Sequence, residues 1–268
     1  MGRDRLQSYV GCSGWSYSAW DGHFYPKGTE SKSYLQYYSK VFDYVEIDST
    51  FYRVPNRFMT IRWSKLTPDN FRFTAKFPRA ITHEERLGPP KSDIEFFFEA
   101  MRPLKDKLLC LLLQLPPSLT MKEGLEKLKK LIPLLDKDYR YALEVRHASW
   151  FTKEVYKLLS ANRICLAWSQ LDAIHTPPEL TTDFIYLRFI GDRSIEEKDF
   201  GTIQRDRSKE LKIWASRVKM AQKKLRFAIV AANNHYAGFG PSTANSIRKL
   251  IGLDEVKWDE MKQERLDV

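Results

Sequence analysis

Short apolar runs of strand length alternate along this chain with amphipathic stretches whose apolar positions recur at helical spacing. The runs predict eight strands, at Tyr9–Cys12, Tyr44–Ser49, Phe71–Phe77, Leu108–Leu115, Arg140–Val145, Arg163–Trp168, Phe184–Ile190 and Arg226–Ala232. The amphipathic stretches predict helices near 33–42, 57–66, 93–106, 121–135, 152–161, 207–223 and 243–251. Ser92 with Glu95 and Thr120 with Glu123 match the S/T-x-x-E capping box, and Thr152 and Ser242 are N-cap candidates. Such alternation builds a parallel sheet covered by crossover helices. Eight units in about 250 residues match a closed barrel. An open doubly wound sheet would carry a Gly-rich phosphate turn after its first strand, and neither G-x-G-x-x-G nor a Walker loop occurs here. The expected fold class is α/β, a single (β/α)8 TIM-type barrel. No linker interrupts residues 1–268, so they read as one domain, with the barrel core at about 9–251 and a charged tail at about 257–268.

Barrel geometry converts the strand pattern into a site. Alternate residues face the lumen, and barrel enzymes draw their chemistry from the C-terminal strand ends and the loops that follow. With Val45 and Ile47 turned to the helices, Glu46, Asp48 and Thr50 face inward; with Leu143 and Val145 outward, Ala142, Glu144 and Arg146 face inward. The same alternation aims Thr74, Lys76, Gln114, Tyr186, Arg188 and Asn234 at the lumen. Six charged side chains thus converge at one end. Each unpaired buried charge costs several kcal/mol, so the cluster is either a mutually neutralised ion-pair network or a site completed by a ligand. Val, Ile or Leu would fill these positions at lower cost, which favours a site.

Two loops add to it. After the fifth strand, R-H-A-S-W supplies Arg146, His147 and Trp150; after the eighth, N-N-H-Y-A-G supplies Asn233, Asn234 and His235. Histidine suits general acid or base work near neutral pH, and Arg or Lys suits an anionic group such as phosphate. The first loop, C-S-G-W-S-Y-S-A-W, offers Trp15, Tyr17 and Trp20 either as packing for the barrel end or as a stacking surface for a base or sugar ring. The five histidines show no H-E-x-x-H or similar pairing, so a divalent metal, which nothing here indicates, would need ligands assembled from separate loops; no metal ligands are assigned, and no organic cofactor motif is present.

Composition narrows the classes further. Three cysteines, Cys12, Cys110 and Cys165, are too few for a disulfide framework and read as reduced, buried thiols of a cytoplasmic protein. The N-terminus lacks a signal-peptide apolar core, and no run reaches the roughly 20 apolar residues of a membrane span. The formal net charge is +10, and residues 205–226 hold nine Lys or Arg against two acidic residues. Lys212, Lys219, Lys223 and Arg226 share one helical face, ordinarily a solvated one, so the charge sum alone is weak support for a polyanionic partner.

The segments VGCSGWSYSAW, FDYVEIDSTFYRVP, FRFTAKFPRAITH, LLLQLPPS, LEVRHASW and AANNHYAGFGPSTAN resemble the YecE-like family, domain of unknown function 72, from about residue 9 to 251. The resemblance implies a TIM-type barrel and, because that shape has been compared with endonuclease IV, a nucleic-acid role. It places the family pattern on Glu46, Lys76, Gln114, Glu144, Arg146, His147, Trp150, Arg188, Asn233, Asn234 and His235. This chain departs from the pattern twice. Asp48 stands where Asn is expected, and Ile190-Gly191-Asp192-Arg193 stands where His-Gly-Arg is expected. The dense ligand set of a three-zinc nuclease is not visible.

The leading expectation is a nucleic-acid-processing hydrolase acting on a phosphodiester or damaged nucleotide, DNA more than RNA. Lys76, Arg146 and Arg188 would hold phosphate, and Glu144 or Glu46, with His147 or His235, would transfer protons. A sugar or sugar-phosphate hydrolase or isomerase is the second reading, since paired carboxylates beside tryptophans also suit a glycan. A non-catalytic nucleic-acid-binding module is the third.

Overall fold

The computed structural model describes residues 6–258. Nine strand segments lie in one all-parallel sheet: β1 Gln7–Ser13, β2 Tyr44–Ile47, β3 Arg72–Lys76, β4 Leu108–Gln114, β5 Tyr141–Glu144, β6 Ile164–Leu166, β7 Trp168–Gln170, β8 Phe184–Phe189 and β9 Phe227–Ala232. Their order is β6-β5-β4-β3-β2-β1-β9-β8-β7. β6 and β7 are two halves of one strand, separated only by Ala167, whose N–H donates to Leu143 at 2.9 Å. The first half pairs with β5 and the second with β8, which closes the ring as a (β/α)8 barrel.

The single strand expected at 163–168 is therefore split and extends to Gln170. The loop that follows explains this. Thr181 Oγ1 accepts from Leu166 N at 2.8 Å and donates to the Ile164 carbonyl at 2.7 Å, so a threonine hydroxyl occupies the ladder where β8 would pair with β6.

The helices are α1 Tyr34–Val41, α2 Arg57–Leu66, α3 Lys91–Met101, α4 Met121–Leu131, α5 Lys153–Ala161, α6 Ser208–Ala221, α7 Asn234–Ala237 and α8 Gly240–Leu250. Thr120 forms a full capping box with Glu123, and Thr152 caps α5 by accepting from Val155 N. Two expected caps are not used. α3 begins two residues early, at Lys91 behind Pro90, so Ser92 lies inside its first turn and bonds Asp93 instead. α8 begins at Gly240 with Pro241 in its first turn, which carries Ser242 into the helix.

Tyr44, Cys110, Leu112, Ala142, Cys165, Ala167, Tyr186, Ile229 and Ala231 fill the lumen, while the larger apolar layer lies between strands and helices. The lumen is plugged below the polar residues, so chemistry is confined to the mouth. All three cysteines are free and buried. No helix among the described residues is long and apolar enough to cross a membrane. Of the charged tail read at 257–268, residues 259–268 lie outside the described residues, whereas Trp258 packs against Phe24 and Phe239.

Candidate functional site

At the C-terminal mouth of the barrel lies a cleft of about 370 Å³. Its floor is built from strand ends. Arg188, fully buried at the end of β8, grips Glu46 of β2 with two bonds of 2.7 Å from Nε and Nη2, and reaches Glu144 of β5 through Nη1. Tyr186 donates at 2.5 Å to Glu46 Oε2, the oxygen that also accepts from Arg188 Nε, and is itself held by Tyr44 and Thr74. Arg146 donates from Nε to Glu144 at 2.8 Å and from Nη2 to Gln114 at 3.0 Å. Two guanidinium groups thus neutralise two carboxylates.

The electrostatics follow from this pairing. Burial would raise the Glu46 carboxyl, but Arg188 and Lys76 more than offset it and hold it well below its ordinary 4.5. Glu144 feels the same burial, and Arg188 and Arg146 bring it down to about 2. Both remain charged and fully bonded near neutrality. Four of the six expected charges therefore form the ion-pair network that the charges alone allowed.

The rest of the mouth is open. Lys76, at the end of β3, has one ionic contact among the described residues, to Glu46 at 3.4 Å, and burial lowers its pKa despite that carboxylate. Asp48 borders the same cleft without a side-chain cap bond, and burial raises its pKa despite Lys76 nearby. Arg146 Nη1 has no hydrogen-bond partner among the described residues and lies on the cleft wall. His235 bonds the Ile195 carbonyl through Nδ1 at 2.9 Å. A carbonyl only accepts, so Nδ1 carries the proton and the neutral ring keeps its lone pair on Nε2. Burial lowers the His235 pKa, partly offset by that carbonyl bond, which favours the neutral ring.

The structure brings Asp48, Lys76, Gln114, Arg146, Arg188, Asn233 and His235 to one cleft, with Glu46 and Glu144 beneath. Five expected site residues lie elsewhere. Asn234 does not face the lumen. Alternation along β9 puts Ile229 and Ala231 inside, so Asn233 comes next, while Asn234 is buried behind it and accepts from Trp20 Nε1 and Gly240 N. Trp20 is accordingly a fully buried packing residue. Trp150 is also fully buried, its indole donating to the Leu119 carbonyl. Trp15 packs edge-on against Trp63, and His147 folds back to cap the turn at Ser149. None of these four lines the cleft.

Sequence reading missed the lid side. Phe51 and Tyr52 from the loop after β2, with Arg193, Glu197 and Phe200 from the loop after β8, complete the wall beside Tyr17. Of the second group, Arg193 belongs to the segment Ile190-Gly191-Asp192-Arg193 that departs from the family pattern. There Gly191 takes φ +76°, and a Cβ on it would stand 2.3 Å from the His235 carbonyl, so glycine lets this loop pass against the His235 turn. Asp192 points away from the cleft to Ser194 and Arg205. Near the mouth His83 is driven down to about 4, by burial first and then by Arg146, Arg79 and Arg193, which marks a locally cationic rim. Among the described residues, no group of three or more His, Cys, Asp or Glu stands close enough to hold a metal ion.

Fold and site define a (β/α)8 barrel with a charged, partly enclosed cleft at its C-terminal mouth. Residues 9–266 match the family model for Protein of unknown function DUF72, and the chain belongs to that family. The UPF0759 protein YecE of Escherichia coli (strain K12) is 32% identical over 145 residues, 54% of this chain and 50% of that protein, so this match spans about half of the relative's length. The UPF0759 protein YunF of Bacillus subtilis (strain 168) is 23% identical across 97% of this chain and 99% of that protein. A solved DUF72 family protein from Thermotoga maritima MSB8 superposes with a TM-score of 0.79 at 29% identity, covering 91% of this chain and 99% of that one. One from Enterococcus faecalis V583 gives 0.76 at 22% identity, covering 94% and 100%.

Proposed function

We propose that this protein is an enzyme that binds a phosphate-bearing ligand of sugar-phosphate or single-nucleotide size and performs acid–base chemistry on it with His235. The observation that carries this reading is the set of groups the floor leaves unused. Arg146 Nη1 and Lys76 Nζ offer donors to an anion, and His235 Nε2 offers a lone pair, all bordering one cleft of about 370 Å³. That volume is typical of small-molecule sites. Glu46 and Glu144 fix the donors and leave proton transfer to His235, because Arg188 holds both as bonded carboxylates.

A nucleotide within a strand is a second reading, favoured by one feature. Tyr52 and Phe58, 73% and 82% exposed, stand with exposed Arg53 and Arg57 where the chain leaves β2 for α2, on the mouth side. Aromatic faces interleaved with arginine suit flanking bases and phosphates. The basic run ending at Lys223 and Arg226 contributes little to either reading, because it leads into β9 at the opposite end of the barrel.

The test is a turnover screen with ribose 5-phosphate, mononucleotides and single-stranded oligonucleotides, using wild type and His235→Gln. The expected result is turnover of a phosphate-bearing compound that falls by about a hundredfold or more in the variant while binding persists. Equal turnover by His235→Gln would remove His235 from the chemistry. A steep salt dependence with oligonucleotides alone would select the strand reading.

A further inference from the structure

The charges of the mouth do not divide evenly between structure and cleft. Glu46, Glu144, Arg146 and Arg188 are bound to one another and sum to zero. Of the strand-end charges, one amine and one carboxyl group remain, Lys76 and Asp48, from the ends of neighbouring strands β3 and β2, while Arg193 and Glu197 reach the cleft wall from the loop after β8. Both border the cleft, and no hydrogen bond joins them. The quartet is neutral without them, although Lys76 adds to the pull of Arg188 on Glu46.

We propose that Lys76 and Asp48 form a carbonyl-reactive pair, in which Lys76 Nζ condenses with the aldehyde or ketone carbon of an open-chain sugar phosphate to give an imine. The phosphate half of this assignment rests on the function proposed above and falls here to Arg146 Nη1, because Lys76 Nζ is taken up by the carbonyl carbon; the amine and acid chemistry rests on Lys76 and Asp48 alone. An amine is a nucleophile only without its extra proton, and an acid catalyst near neutrality must keep its own. Burial moves both groups that way, lowering Lys76 and raising Asp48. Lys76 also has the room to react, since its side chain is 11% exposed, into the cleft, and its single ionic contact is long at 3.4 Å.

The step balances without a further reactant. The Nζ lone pair forms the new C–N bond as the carbonyl π pair moves to oxygen, which takes the proton of the Asp48 carboxyl. The resulting ammonium nitrogen returns one proton to Asp48, leaving a neutral carbinolamine. Asp48 then protonates the hydroxyl, the C–O bond breaks, and water leaves an iminium ion beside the Asp48 carboxylate. No atom is oxidised or reduced. The iminium is an electron sink at the substrate carbon, placed on the same cleft as the His235 lone pair, the arrangement needed to remove a proton from the adjacent carbon.

The experiment is reductive trapping. The full chain is incubated with ribose 5-phosphate, or with phosphate-free glycolaldehyde, in sodium cyanoborohydride, and adducts are located by peptide mass spectrometry. The expected result is one dominant adduct on Lys76 with either probe, faster with ribose 5-phosphate, and slowed roughly a hundredfold in Asp48→Asn. Lys76→Arg, which keeps the positive charge, should lose the adduct while exposed lysines label as in wild type. Because the adduct is mapped in the wild-type protein, the proposal stays testable even if a variant fails to fold. Labelling of Lys76 by glycolaldehyde but not by ribose 5-phosphate supports the imine and overturns the phosphate reading. Labelling confined to exposed lysines overturns the imine, whatever phosphate binding shows.

Discussion

Replacing Arg188 by Met should be among the most damaging single changes in the barrel. The side chain is fully buried, with Nε and Nη2 on Glu46 and Nη1 on Glu144. Methionine fills much of the volume but leaves two buried carboxylates opposed by Arg146 and Lys76 alone. Removing one partner of a buried ion pair costs about 3–5 kcal/mol. For a chain of this size that is a fall in Tm of roughly 6–20 °C, taking 2–4 °C per kcal/mol. The effect carries a pH signature. In wild type both carboxyls lie below their ordinary 4.5, so their stabilisation is present above 4.5 and is lost as pH falls through the folded-state values. Without Arg188 burial dominates and raises them, so the penalty grows as pH rises from 4.5. The gap between wild type and variant should be widest at pH 7, smaller at pH 4, and should close only as pH falls through the folded-state values. Adding Glu46→Gln and Glu144→Met to Arg188→Met should restore much of the loss. Urea unfolding followed by circular dichroism at the two pH values measures all of this. A loss below about 1 kcal/mol, or one equal at both pH values, would refute the view of Arg188 as the keystone of the floor.

Gly191→Ala should cost about 1–3 kcal/mol by denaturant unfolding and displace His235, since the added methyl meets that residue's backbone and φ is positive there; an unperturbed His235 resonance would contradict this. In NMR titrations His83 should show a midpoint near 4, and His235 one below 6.5. His235 in its neutral form favours the folded state, so its contribution is present above the unfolded value of 6.5 and is lost as pH falls through the lower folded value. A His235 midpoint above 6.5 would remove the reason for treating it as a neutral base at physiological pH.

The fold was legible because the two periods of a βα barrel differ so plainly, and because inward alternation extends unbroken to the strand ends at Glu46, Lys76, Gln114, Glu144 and Arg188. It failed just past them. At Asn233 and Asn234 the strand gives way to a turn, and the choice between neighbours depends on a phase fixed by Ile229 and Ala231 rather than by the polar residues themselves. Tryptophans in a loop read equally as packing or as a stacking surface, and only the partners of Trp20 and Trp150, namely Asn234 and the Leu119 carbonyl, decide for packing. The division of six charges into a closed quartet and an open pair was not legible at all. It depends on which guanidinium reaches which carboxylate across the barrel, a matter of distances that spacing along the chain does not carry.

In the function proposed for this mouth its unused donors bind a phosphate group, with Arg146 held in the required plane by Glu144 and Gln114. Isothermal titration calorimetry with ribose 5-phosphate tests it most directly, comparing wild type, Arg146→Lys and the doubly substituted Lys219→Ala/Lys223→Ala. A lysine keeps the charge but cannot hold two partners and the ligand in one plane, so Arg146→Lys should lose about 1–3 kcal/mol, one to two decades of affinity. The double variant, far from the mouth, should bind as wild type does. Affinity unchanged by Arg146→Lys in a folded protein, or no saturable binding by wild type, would contradict the claim.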